Sequence, residues 1–169
     1  QSIKLATEII NTFEKKYEEK WLSMMRNKLG LFGVEDKDKF LILDLLTWMH
    51  QKKIDYTNTF CYLMNFEIEK KENFKDNDFL NWKKRWQDRL KINNNTPEKC
   101  LKLMRSVNPL VIPRNHKIEE VLNEANNGKI KPLKKFLEIL SKPYSDQKNM
   151  MDFQIPSSSN EKYQTFCGT

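Results

Sequence analysis

Residues 75–92 read "KDNDFLNWKKRWQDRLKI". Phe79, Trp82, Trp86 and Leu90 step by three or four, the repeat of one face of an α-helix. Lys83, Lys84, Arg85 and Arg89 line the other face. Two uses of that pattern compete. Tryptophans beside cations offer a stacking platform for nucleic acid, and an apolar stripe edged by lysine stems offers a helix packed into a core. A stripe at this spacing favours the core reading, so 75–92 predicts a buried helix in an all-α protein. A stand-alone module binding nucleic acid or another anionic partner through helix 76–91 is the alternative, and Lys83, Lys84, Arg85 and Arg89 would be its surface.

The same period recurs on both sides. Ile3, Ala6, Ile10, Phe13, Tyr17, Trp21, Met24 and Lys28 predict a long first helix, with Gly30 just past its end as a stop. Asp36 or Asp38 starts a second through "KFLILDLLTWMHQKK", whose apolar residues wrap most of the circumference and so predict the central, most buried helix. Asp55 is the expected N-cap of a third, from about Thr57 to Glu67. Thr96 and Pro97 form a strong start signal for a fifth, ending near Asn108-Pro109. A helix pair follows: Pro113 opens one, with Ile118, Val121, Leu122 and Ala125 inward and Gly128 closing it. Pro132 opens the other, with Leu133, Phe136, Leu137 and Leu140 inward and Pro143 stopping it. These readings add up to a compact subdomain of about six to seven helices over residues 1–141. Residues 142–169 lose the period and read as an extended tail. No β-strand pattern and no internal repeat is convincing.

Bulk properties narrow the class. The chain has 169 residues, enough for one domain with a core, and only 4 Gly and 6 Pro. It opens Gln-Ser without a Met or a leader-like start, which reads as a piece of something longer. The longest apolar run, "FLILDLL", is broken by Asp44 and falls short of the roughly 18 residues a membrane span needs, so no membrane partner is expected. Thirty Lys and Arg against 23 Asp and Glu leave a net charge of +7. The cations are interleaved with anions ("FEKKYEEK", "EIEKKENFK"), the pattern of a solvated helix face rather than a phosphate-binding surface. A nucleic-acid partner is accordingly disfavoured.

Chemistry is sparse. The chain lacks GxGxxG, GxxxxGK[ST], HExxH and GxSxG motifs and the HRD and DFG of a kinase. His50 and His116 lack ligand spacing and read as surface or capping residues. Three cysteines, with no CxxC pair, argue against a zinc site or a closed disulfide framework, and point to a reducing compartment. Cys61 and Cys100 sit among apolar residues and read as buried, inert thiols. Cys167 has no such company: it follows a Ser-rich stretch and stands beside Tyr163 and Phe166 in "NEKYQTFCGT".

Several elements in order resemble the C-terminal part of the selenoprotein O family of pseudokinase-fold protein adenylyltransferases. "MMRNKLGL" (24–31) is similar to the family's Met-Arg-x-Lys-Leu-Gly-Leu element, with Arg26. "DYTNTF" (55–60) resembles Asp-Tyr-Thr-x-Phe-Phe, with Asp55. "WKKRWQDRL" (82–90) resembles Trp-x-x-x-Tyr/Trp-x-x-Arg-Leu. "MRSVNPLVIPRNHKIEEVLNEANNG" (104–128) matches a longer pattern at Met104, Asn108, Pro109, Arg114, Asn115 and Gly128. "SKPY" (141–144) and Cys167 complete the order. Pro113, His116 and the ending Cys-Gly-Thr depart from the usual aliphatic, Tyr and Cys-Ser-Ser.

The resemblance implies a full-length enzyme that binds ATP in a kinase-like fold and transfers AMP to protein hydroxyls with Mg²⁺ or Mn²⁺. Its catalytic and metal-binding residues lie in a preceding half, so this chain is expected to hold no catalytic residue, cofactor or metal. The expected partners are that kinase-like half and the parent's protein substrates, in a bacterial cytoplasm. Cys167 aligns with the family's terminal cysteine or selenocysteine. The resemblance implies that it is a redox-regulatory residue, disulfide-bonded to the activation-loop region of the other half, with Tyr163 and Phe166 docking the tail.

Overall fold

The computed structural model describes residues 2–66, 68, 71–92 and 95–157. Among these the protein is all-α: α1 (Ser2–Lys28), α2 (Asp38–Gln51), α3 (Tyr56–Leu63), a 3-10 turn (Lys71–Lys75), α4 (Asn77–Lys91), α5 (Pro97–Val107), α6 (Asn115–Asn126), α7 (Ile130–Leu140) and α8 (Met151–Gln154). No strand forms among the described residues.

The core is organised around α4. Phe79, Trp82 and Trp86 are buried as the spacing predicts, and the rings of Trp82 and Trp86 stack at 5.9 Å. A buried indole N–H needs an acceptor, and each of these finds one on another element. Trp82 donates to the Leu41 carbonyl of α2 at 2.8 Å, and Trp86 to the Leu29 carbonyl at the end of α1 at 2.9 Å. A third indole, Trp48 of α2, donates to Asp76, the residue that caps α4, at 3.0 Å. Three tryptophans thus fix where α1, α2 and α4 sit.

The end of α1 is closed by Gly30, with φ +71°. Leu31 N–H bonds the Arg26 carbonyl (2.9 Å) and Gly30 N–H that of Asn27 (3.1 Å), the paired bonds of a Schellman cap. Beside it, buried Asn108 donates to the carbonyls of Lys28 (2.8 Å) and Met104 (2.9 Å), tying the end of α1 to that of α5. Gly128, φ +81°, closes α6 in the same way.

Several expectations need correction. α3 stops at Leu63 because Asn65 turns left-handed, φ +65°. α2 does start at Asp38, one of the two expected positions, with Lys37 at the cap. Pro113 precedes α6 by two residues, Arg114 being at its cap. Pro132 is the third residue of α7, not the first, where its missing N–H costs no helical bond. α2 keeps an exposed face at Phe40 and Leu43, and Leu122 and Leu137 face solvent, Ile139 taking the inward place on α7. Residues 143–157 are no free tail. The Pro143 carbonyl accepts from Leu110 N–H at 2.7 Å, and Phe153 of α8 stacks on Phe136 at 5.3 Å.

Candidate functional site

Two clamps, one buried and one partly buried, gather most of the polar residues that the motifs single out. The first is centred on Asp38, whose side chain is 0% exposed. Arg89 of α4 donates Nε to one carboxylate oxygen (2.6 Å) and Nη2 to the other (3.2 Å). Arg26 of α1 donates Nε to the second oxygen (2.6 Å), and Glu35 N–H adds a bond at 3.1 Å. Burial by itself would raise the Asp38 pKa. The hydrogen bonds from Arg89, Arg26 and Glu35 outweigh it and hold the carboxyl below its ordinary range. One carboxylate therefore joins three helices as an anion at neutral pH.

The second clamp is centred on Asp55, the N-cap of α3. It accepts Asn58 N–H at 2.8 Å while Arg114 grips both its oxygens at 2.8 and 2.9 Å, a bidentate fork. Asn58 passes the connection on, donating to the Gln154 carbonyl at 3.2 Å. Gln154 donates in turn to Leu110 at 2.9 Å. α8, which ends fifteen residues before the end of the chain, is thereby fastened to α3. Cys61 lies beneath this clamp, and burial, with Asp55 nearby, pushes its thiol up to about 12. Such a thiol is inert at neutral pH. Burial, with Lys117 and Arg114 beside it, lowers the pKa of His116.

These contacts place the expected residues. Arg26, Asp55, Asn108 and Arg114 are internal joints, Gly128 is a helix stop, and the Pro109 carbonyl faces Cys61 Sγ at 3.9 Å. Asn115 is exposed at the start of α6. Cys167, Tyr163 and Phe166 lie outside the described residues. The alternative anionic-partner surface is not assembled. Arg89 is buried on Asp38, and Arg85 pairs with Asp44 at 2.8 Å. Lys83 lies over the Tyr62 ring at 5.0 Å, leaving Lys84 exposed with the tryptophan faces buried behind it. The apolar periodicity, rather than the basic residues, decided the orientation of α4.

Asp38, Asn58 and Gln154 are the joints that sequence reasoning missed. Asp38 carried a signal, an acidic residue in an apolar helix, but it also fits a helix start. Nothing local marks Asn58 or Gln154, which meet across 96 residues.

One face remains unused. Along the outer half of α1, Ile3 (83% exposed), Ile10 (70%), Phe13 (66%) and Tyr17 (61%) meet solvent, followed by Met24 (45%). At the foot of this stripe Lys28 is nine-tenths buried, its Nζ 4.5 Å from the Phe60 ring centre and 5.3 Å from that of Tyr56. No carboxylate among the described residues pairs with it, and burial lowers its pKa, the Cys61 thiolate form opposing that shift. Among the described residues no group of three or more His, Cys, Asp and Glu could hold a metal ion. No helix there is long and apolar enough to cross a membrane.

Comparison with known proteins finds a family. The family model described as protein adenylyltransferase SelO matches residues 2–141. A protein nucleotidyltransferase YdiU of Pelagibacter ubique is 52% identical over 170 residues, covering 100% of this chain and 35% of that protein. Its namesakes are 42% identical in Nitrosococcus oceani, over 98% of this chain and 34% of that protein, and 43% identical in Clostridium botulinum, over 100% and 35%. The chain spans about a third of the length of these relatives and matches their C-terminal part.

Proposed function

The chain belongs to the SelO family of protein adenylyltransferases, and from that premise we propose that it is the non-catalytic helical C-terminal part of an enzyme that transfers AMP from ATP to protein hydroxyls. The observation that carries the reading is the placement of the matched polar residues. Arg26, Asp55, Asn108 and Arg114 are each consumed in joints between helices, so their work is structural. The described residues offer Mg²⁺ or Mn²⁺ no cluster of ligands, and the triphosphate no phosphate loop. ATP and metal belong, on this reading, to the kinase-like remainder of a bacterial cytoplasmic enzyme, where a substrate hydroxyl oxygen bonds the α-phosphorus and pyrophosphate leaves. The second element of the proposal is regulatory. α8 fixes the root of the last fifteen residues, and Cys167 at their end forms a disulfide with a thiol of the remainder. An oxidant takes up the two electrons and two protons released. Tyr163 and Phe166 hold the segment against its dock.

The test uses the full-length protein with Mg²⁺ and ATP labelled at the α- or the γ-phosphate, before and after reduction. Label from the α position alone, increased by reduction and made insensitive to it by Cys167→Ser, is the expected result. Label from the γ position would mean an ordinary kinase, and no label under any condition would refute the enzyme reading.

A further inference from the structure

The stripe on α1 points away from the body that α1 rests on. With about 100° per residue, Glu18, Leu22, Met25 and Leu29 share one side of the helix. Glu18 reaches Lys39 of α2, and Leu22, Met25 and Leu29 join the core. Continued toward Ser2, that side carries Lys4, Thr7, Asn11 and Glu14, polar residues suited to solvent. Ile3, Ile10, Phe13, Tyr17 and Met24 lie about 100° further round. The apolar residues of the outer half are therefore directed at a surface that the described residues do not supply. A contiguous apolar stripe of this kind marks a docking face.

We infer that this stripe is the seat of the preceding part of the same polypeptide. The inference rests on the family reading above. About two-thirds of each relative's length lies outside the matched region, and the match is C-terminal, so the remainder adjoins the Ile3 end of the stripe. The stripe runs from that end to the half-exposed Met24 and the buried Lys28. Lys28 sets the chemistry of the lower end: a cation held over two rings with no anion opposite among the described residues. The docking segment is apolar along Ile3, Ile10, Phe13 and Tyr17, and brings an Asp or Glu to Lys28 beside the half-exposed Tyr56 ring.

The test is thiol labelling of the full-length protein, resolved by peptide, with each rate compared with that of the same variant unfolded in denaturant. Ile10→Cys places the thiol on the stripe and Glu19→Cys on the opposite, exposed side of α1. The expected result is alkylation slowed at least tenfold for Ile10→Cys and left near the unfolded rate for Glu19→Cys, at every protein concentration. Equal, fast rates would overturn the inference, as would protection of both sites. Protection that grows with concentration would assign the stripe to a second copy. Protection lost on deleting residues 158–169 would assign it to the chain's own end. Either outcome overturns the inference. Transfer of α-label, scored on the same preparations, separates the two proposals: protection without transfer removes the activity and leaves the docking face, and transfer without protection does the reverse.

Discussion

Arg85 and Arg89 stand one helical turn apart on α4, each paired with an aspartate of α2, and the structure assigns them very different energies. Arg89→Met removes two donors from Asp38 and one from the Phe32 carbonyl, which Arg89 also bonds at 3.1 Å. Methionine fills most of the space, so the loss is mainly electrostatic. Asp38 keeps Arg26 and the Glu35 amide but stays a buried anion with half its donors gone. Breaking a buried pair from one side costs about 3 kcal/mol at the lower end of the usual range. For a chain of this length each kcal/mol moves the midpoint by a few degrees, so the loss is roughly 6–12 °C in Tm. Arg85→Met breaks a pair whose side chains are 55% and 49% exposed, and should cost less than about 1 kcal/mol. The assay is thermal and urea unfolding followed by helical circular dichroism. The acid limb adds a sign. A carboxyl held below its ordinary pKa contributes stability that is present above the unfolded value, near 3.8, and lost as pH falls through the folded one. Wild type should therefore lose more stability than Asp38→Asn below about pH 4. Equal, small effects of Arg85→Met and Arg89→Met would refute the placement of Asp38 as a buried hub.

Two further predictions follow from local geometry. Gly30 and Gly128 both have positive φ, but a Cβ on Gly30 would meet the Cys100 carbonyl oxygen and Met104 Cγ at 3.0 Å, whereas one on Gly128 meets nothing within 4 Å. Gly128→Ala should cost about 1 kcal/mol of backbone strain, and Gly30→Ala distinctly more, read as a larger drop in the urea midpoint. His116 is disfavoured as a cation in the fold, so its contribution is present above the unfolded pKa, near 6.5, and lost as pH falls below that value through the folded one. Between pH 7.5 and 5.5 wild type should lose more stability than His116→Gln, and parallel curves would refute the assignment.

Much of this protein is legible in its sequence because helices are local objects. The 3.6-residue period, Thr96-Pro97, the Asp55 cap and the glycines at 30 and 128 are properties of neighbouring residues, and they placed most helices within a few residues. The 75–92 stretch ranked its tryptophan stripe as the buried face, because that stripe loses more by exposure than lysines gain by crowding, but it put Arg89 on the outer face, and Arg89 is buried. The resemblance to the SelO family was carried by short motifs of the same local kind.

What a polar residue does once the helices pack is set by partners distant in sequence. Arg85 and Arg89 look alike in the chain, and only the approach of α2 makes one a surface pair and the other part of a buried hub. Asp38 starts α2 as its sequence suggests, but only the convergence of Arg26 and Arg89, 12 and 51 residues away, makes it a buried hub. Residues 143–157 have no period to read, yet Phe153 and Gln154 are buried because α3 and α7 leave a place for them. The stripe on α1 shows the converse: its spacing matches that of the core helices. The sequence determined that this face is apolar; the tertiary structure decided that the body of the domain lies about a quarter-turn away from it, because burial depends on what stands opposite a residue.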